Sequence, residues 1–374
     1  MKRLYIILCL SLAQSFNVSA ADNVVLITLD GLRWQEVFSG IERRLALSED
    51  YSGLSDKLMD EFWDDSADVR AQKLLPFLHE VVFKKGSYVG NRDQASCAKV
   101  SNDWYFSYPG YSEILTGIVN PSLSSNAKTP NPERSIFELL NAVPEFKGRS
   151  AAFASWDVFP FILNTQRSGL HVNAFHKEED PQSEFELLLN RLSEDTPAPW
   201  ATVRNDSFTH HYAMSYFKRE KPRVLFISYG ETDDFAHDGK YDEYIFAANR
   251  TDRFIGEIWE MVQETEGYTD NTDLFITVDH GRGEEPIETW RHHASKTSVT
   301  SYMSSLASYE EGIVGSDAVW MAGMGPGVPN SKLINTGDNC LSSNRIAATL
   351  LELLGQDYRD LQSDMGAPMK EFLR

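Results

Sequence analysis

Three apolar runs of strand length in this chain each lead directly into residues that bind metals. VVLITLD closes on Asp30, VLFISYGETDDFAH carries Asp233 and His237 just past its apolar part, and DLFITVDHG ends in Asp279 and His280. Parallel strands of an open α/β sheet align their carboxyl ends, and ligands bind outside those ends, so residues far apart in sequence can meet there. Between the second and third runs, YDEYIFAANRTDRFIGEIWEMVQE repeats its apolar residues at helical spacing. Strand, helix, strand implies parallel strands joined by a right-handed crossover. Further helices are expected at LLPFLHEVVFKKG, SIFELLNAV and NRIAATLLELLG, and further strands at SAAFAS and AVWMAGMG. This alternation predicts an α/β chain, a three-layer sandwich with a mostly parallel central sheet.

Residues 1–20 fall outside that pattern. Lys2 and Arg3, an apolar stretch from Leu4 to Leu12, and Val18-Ser19-Ala20 read as a secretory signal peptide, too short to span a bilayer. The product is expected to be secreted or periplasmic, with residues 21–374 forming the catalytic domain. No later segment has the length and apolarity of a membrane span. A formal charge of −20 disfavours nucleic acid and anionic membrane surfaces as partners. Cys97 and Cys340 remain after the leader, and a disulfide or two buried thiols are both open readings. Two segments look like insertions: an acidic stretch without clear period at about 40–70, and an irregular stretch at 156–221 expected to cap the site.

The chemistry-bearing residues follow from the strand ends. Asp233 and His237 are four apart, which places them on one side of a helical turn. Asp279 and His280 are adjacent after a strand, where a turn aims both at one cleft. Carboxylate oxygen with imidazole nitrogen suits two divalent cations, zinc first and manganese as the alternative. In FSYPGYSEILTG, Ser107 stands before a helix that Pro109 helps to start. It is either an anion-binding nucleophile at the positive helix end or an ordinary N-cap serine. SWDVFPFILNTQRSG offers Trp156, Asn164 and Arg167 as substrate-binding candidates beside a strand end. Arg282, directly after Asp-His-Gly, and Arg92 are two further candidate donors.

Taken together these residues resemble the alkaline phosphatase superfamily, and within it the nucleotide pyrophosphatase/phosphodiesterase-like branch. The resemblance runs from Asp30 to near the chain end and includes Ser107, Pro109, Thr116 and Gly117 in the order of that family's nucleophile motif. It implies that Asp30, Ser107, Asp279 and His280 hold one metal, and that Asp233, His237 and a later histidine hold the other. TWRHHAS supplies His292 and His293, and counting from Trp290 favours His293. The implied activity is hydrolysis of a small phosphoric ester through a phosphoserine at Ser107. Two departures bear on substrate. Sulfatases that oxidise their nucleophile need an arginine where this chain has Tyr111, and diesterase relatives carry an asparagine where it has Gly110. Phosphodiesterase or nucleotide pyrophosphatase activity, sulfatase-type hydrolysis, a mutase of the same superfamily, and a non-catalytic metal-binding or surface protein are the competing readings.

Overall fold

The computed structural model describes residues 21–374, so the leader expected over 1–20 lies outside the described residues. The strands are β1 (Asn23–Leu29), β2 (Ser87–Val89), β3 (Ala98–Lys99), β4 (Ser150–Ala154), β5 (His171–Ala174), β6 (Val224–Tyr229), β7 (Thr272–Thr277), β8 (Ala318–Val319), β9 (Met321–Met324), β10 (Lys332–Leu333) and β11 (Leu341–Ser342). Eight of them form one sheet in the order β10-β2-β9-β7-β1-β6-β4-β5, and β11, β3 and β8 form a small second sheet. In the large sheet β9 is antiparallel to both neighbours, and the other pairings are parallel. The helix Tyr241–Glu264 joins β6 to β7 as expected. The two strands are parallel, but β1 lies between them instead of their pairing directly.

Every residue of β1, β6 and β7 is buried. Successive side chains on a strand point to opposite faces, so both faces of the sheet are covered, which requires three layers. The helix Asp206–Glu220 packs on β4 and β6, and Tyr241–Glu264 packs on β1. Leu29 lies beside Tyr229, and Thr28 beside Thr277. This register brings Asp30, the turn after β6 and the turn after β7 to one point beyond the sheet.

Two segments differ from their sequence reading. Residues 40–70 contain short helices at Arg43–Ala46, Ser55–Phe62 and the start of Ala67–Leu74. Leu45, Leu58 and Phe62 are buried in the main core. Helices of four to eight residues are too short to display an amphipathic period, which is why the stretch read as patternless. Within 156–221, residues 171–174 form the edge strand β5 and 206–220 the helix on β4 and β6, so these parts are scaffold rather than cap.

Cys97 and Cys340 are disulfide-bonded. β3 and β11 pair in parallel with Ala98 opposite Leu341, which sets the two cysteines side by side just before their strands. Among the described residues, no helix is long and apolar enough to cross a membrane.

Candidate metal centre

Beyond the carboxyl ends of β1, β6 and β7 the expected residues converge. His280 Nε2 lies 3.4 Å from Asp30 Oδ1, 3.4 Å from Asp279 Oδ2 and 3.7 Å from Asp233 Oδ1. His293 Nε2 lies 3.7 Å from Asp233 Oδ1 and 3.1 Å from His237 Nε2, which is itself 3.3 Å from Asp233 Oδ2. Two groups have ligand atoms all within 4.8 Å of one another: Asp30, Asp279 and His280, and Asp233, His280 and His293. The division expected from sequence is therefore blurred at His280, which falls in both. His293, not the half-buried His292, stands against His237. The His237 side chain is 38% exposed and marks the solvent-open side of the centre.

Local structure fixes which atoms face inward. His280 Nδ1 is bonded to the carbonyl of Gly281 and His293 Nδ1 to that of Tyr105, each at 3.0 Å. A carbonyl only accepts, so in the neutral ring Nδ1 carries the hydrogen and Nε2 keeps its lone pair. Tyr105 adopts a left-handed φ of 56°, a strained conformation that aims its carbonyl at His293. Asp30 is followed by Gly31 at φ 58°, where a Cβ would lie 2.8 Å from Arg282 Nε and 3.0 Å from His280 Cε1. Only glycine lets the chain turn there at that packing distance.

The donor set suits cations. Asp30 Oδ1 and Asp279 Oδ2 are buried without a hydrogen-bond partner, an arrangement costly for carboxylates unless a positive charge meets them. By the protein's own charges, burial and then Asp30 push the Asp279 carboxyl well up. Burial and then His280 push His293 well down. His280, whose burial opposes its charge, is nonetheless drawn up to about 9 by Asp279 and Asp30. Divalent cations would settle this crowd, since they bind ionised carboxylate and neutral imidazole.

Ser107 is the first residue of the helix Ser107–Thr116, whose N-cap, Phe106, makes no side-chain cap bond. The serine does not serve as the cap. Its Oγ instead faces His280 Nε2 at 3.3 Å, at the end of the helix dipole that favours anions. Gly110, one turn on, lies against the end of β7: a Cβ there would be 2.5 Å from the Asp279 carbonyl oxygen. Close approach accounts for the glycine where an asparagine was looked for.

The substrate-binding candidates are redistributed. Arg282 is 1% exposed, pairs with Asp233 Oδ1, and donates to the carbonyls of Asp233 and Arg291. It holds a ligand-bearing residue and does not reach substrate space. Arg167 spends its donors on Glu138 and on the carbonyls of Asn131, Pro132 and Glu133. Asn164 caps the short helix Thr165–Ser168 and donates to the Asn131 carbonyl. Both are structural. Arg92 bonds the Ala98 carbonyl beside the small sheet. Trp156 stands past the end of β4, half-buried and edge-on to Phe159.

Sequence reasoning missed two residues at the centre. Tyr111 donates from its hydroxyl to Asp30 Oδ2 at 3.0 Å and accepts from Ser228 Oγ at 3.1 Å, so the position that holds arginine in oxidised-nucleophile sulfatases here orients a ligand carboxylate. Asn126 accepts the Tyr108 backbone N–H at 3.0 Å, with its amide nitrogen uninvolved in that bond. The helical spacing of Tyr111 from Ser107 was a readable signal. Asn126, in an irregular loop, gave none.

The model of the type I phosphodiesterase / nucleotide pyrophosphatase family matches residues 101–305, a span that holds Ser107, Asp233, His237, Asp279, His280 and His293. No match was found among curated proteins. Among solved structures, the chain is similar to the alkaline phosphatase PafA at TM-score 0.56 and 10% identity, covering 95% of this chain and 99% of that one. It is also similar to an alkaline phosphatase superfamily protein from Vibrio parahaemolyticus at TM-score 0.55 and 14% identity, covering 95% and 71%. A 2-O GAG sulfatase superposes at TM-score 0.55 and 12% identity, covering 95% and 76%. At these identities the likeness is one of fold.

Proposed function

Because the chain belongs to the type I phosphodiesterase / nucleotide pyrophosphatase family, whose fold is that of the alkaline phosphatase superfamily, we propose that it is a two-cation phosphoric ester hydrolase with Ser107 as nucleophile. The observation that carries the reading is the Ser107 hydroxyl at a helix N-terminus, 3.3 Å from His280, beside two buried carboxylate oxygens that lack partners. Asp30, Asp279, His280 and Ser107 would hold one cation, and Asp233, His237 and His293 the other. Zinc suits the mixed nitrogen and oxygen donors best, with manganese the alternative. When bound, the cations would stabilise the charge on the phosphoryl group and on the attacking and leaving oxygens.

The chain's own residues then have separate tasks. Ser107 Oγ bonds to phosphorus as the ester oxygen departs, and water cleaves the resulting phosphoserine, releasing phosphate and restoring the hydroxyl. The helix N-terminus and the Asn126 amide supply donors for the phosphoryl oxygens. Tyr111 keeps the Asp30 carboxylate turned toward His280, and Arg282 does the same for Asp233. The Cys97–Cys340 disulfide supports export to an oxidising compartment, in line with the leader expected at residues 1–20. Tyr111 in place of an arginine speaks against the oxidised-nucleophile sulfatases.

The test uses protein reconstituted with zinc and, separately, with manganese, assayed on an aryl phosphate ester and the matching aryl sulfate. The phosphate ester should be turned over in preference, and Asp233→Ala should lose bound metal and activity together. An Asp233→Ala variant with full metal content and normal turnover would overturn the assignment.

A further inference from the structure

Residues 117–135 follow the nucleophile's helix without regular structure, yet they are tied back to its start at two points. Asn126 Oδ1 accepts the Tyr108 backbone N–H at 3.0 Å, and the Tyr108 hydroxyl donates to the Thr129 carbonyl at 2.6 Å. Lys128 lies between these tethers, so its ammonium is kept near the end of the helix that bears Ser107. From there Nζ reaches across to Asp157 Oδ2 at 2.5 Å. Asp157 follows the carboxyl end of β4, the neighbour of β6 in the sheet. Two residues on, Phe159 packs edge-on against Tyr111 at 4.7 Å, one turn along the helix from Ser107. The ion pair therefore stands on the ligand-binding side of the sheet, between the nucleophile's helix and β4.

The pair is unevenly built. The Asp157 side chain is 7% exposed and that of Lys128 49% exposed. Asp157 Oδ1 is buried without a hydrogen-bond partner, so Lys128 is the one cation this carboxylate has. A bridge serving only to staple the loop would gain from an arginine fork satisfying both oxygens. A lysine instead keeps two ammonium hydrogens unspent by Asp157, on a head that is half open.

We propose that Lys128 is a specificity-determining residue whose ammonium meets the second negative charge of a phosphate monoester, making monoesters the substrate class of this site although the family takes its name from diesters. Asp157 is a positioning residue that holds the ammonium there. The proposal rests on the hydrolase reading above. A diester carries one negative charge at phosphorus. A monoester near neutral pH carries close to two, because its second pKa is about 6. A fixed cation beside the phosphoryl group therefore favours the monoester selectively.

The experiment measures kcat/KM of metal-loaded wild type and Lys128→Ala on an aryl phosphate monoester and on its methyl diester. The ratio of monoester to diester activity should fall about 100-fold in the variant, the usual loss for one charged or hydrogen-bonding group at a phosphoryl or oxyanion site. The diester rate in the same preparation reports folding and metal loading. Asp157→Asn should lower the same ratio, and the double variant Lys128→Ala/Asp157→Asn should be no worse than Lys128→Ala alone, because Asp157 acts through the lysine. An unchanged ratio in Lys128→Ala, or additive losses in the double variant, would overturn the proposal while leaving the hydrolase reading intact. A wild type inactive on both esters would overturn both.

Discussion

Replacing Gly110 with alanine probes how closely the nucleophile's helix is seated on the end of β7. The new Cβ would lie 2.5 Å from the Asp279 carbonyl oxygen and 3.1 Å from the carbonyl carbon. Ordinary contact begins near 3.5 Å, so the helix must retreat by about 1 Å. The obstacle is backbone at a ligand-bearing turn, which cannot swing aside as a side chain would. Two effects on stability oppose each other. Alanine gains about 1 kcal/mol over glycine in a helix interior, whereas overpacking costs about 1–3 kcal/mol. The net change should be a destabilisation of roughly 0–2 kcal/mol, read as a small downward shift of the urea midpoint. Activity should suffer more, because Ser107 sits one turn from Gly110 and moves with it relative to Asp279 and His280. A displacement of about 1 Å at a reacting group costs roughly 100-fold in kcat/KM. Gly110→Ala with wild-type kcat/KM on a phosphate ester would refute the close seating of this helix.

Tyr111→Phe removes the hydrogen bond to Asp30 Oδ2 and should weaken metal affinity by about 10- to 100-fold, as changes behind a ligand usually do, measured by competition with a chelator. Glu113 is fully buried, and burial raises its carboxyl to about 8. The folded state then holds a proton that the unfolded state releases above about 4.5, so this group's contribution to stability is present below that pH and lost as pH rises through 8. Glu113→Gln should flatten that part of the stability profile in urea melts between pH 5 and 9; an unchanged slope would show that Glu113 is not its source. The disulfide closes a loop of 243 residues, and Cys97→Ser/Cys340→Ser should cost roughly 2–5 kcal/mol in chemical denaturation. The metal centre draws no ligand from this loop's ends, so kcat/KM of the folded variant should stay within about 3-fold of wild type at 25 °C.

How much could be read in advance depended on where each residue's partners lie. The metal-ligand candidates were legible because β1, β6 and β7 are fully buried, so their sequences are continuous apolar runs and the first polar residues past them stand out. His293 was legible through its spacing from Trp290, a buried residue. Asn164 and Arg167 misled because a polar residue beside a strand end looks the same whether it faces a cleft or caps a four-residue helix. Arg282 misled for a related reason: its partner Asp233 is 49 positions away, and only the folded chain shows that its guanidinium is already engaged. Asn126 and Lys128 lie in a stretch with no period, and what gives them a place is the pairing of Tyr108 with both ends of a short loop segment.

The central claim, a serine nucleophile at a two-cation site, is tested most directly by acid-quenching the metal-loaded enzyme during turnover of a phosphate ester and mapping phosphate by peptide mass spectrometry. The account predicts phosphate on Ser107, absent from Ser107→Ala, which should also lose turnover. Steady turnover with no phosphorylated Ser107 under any quench condition, or an active Ser107→Ala enzyme, would contradict it.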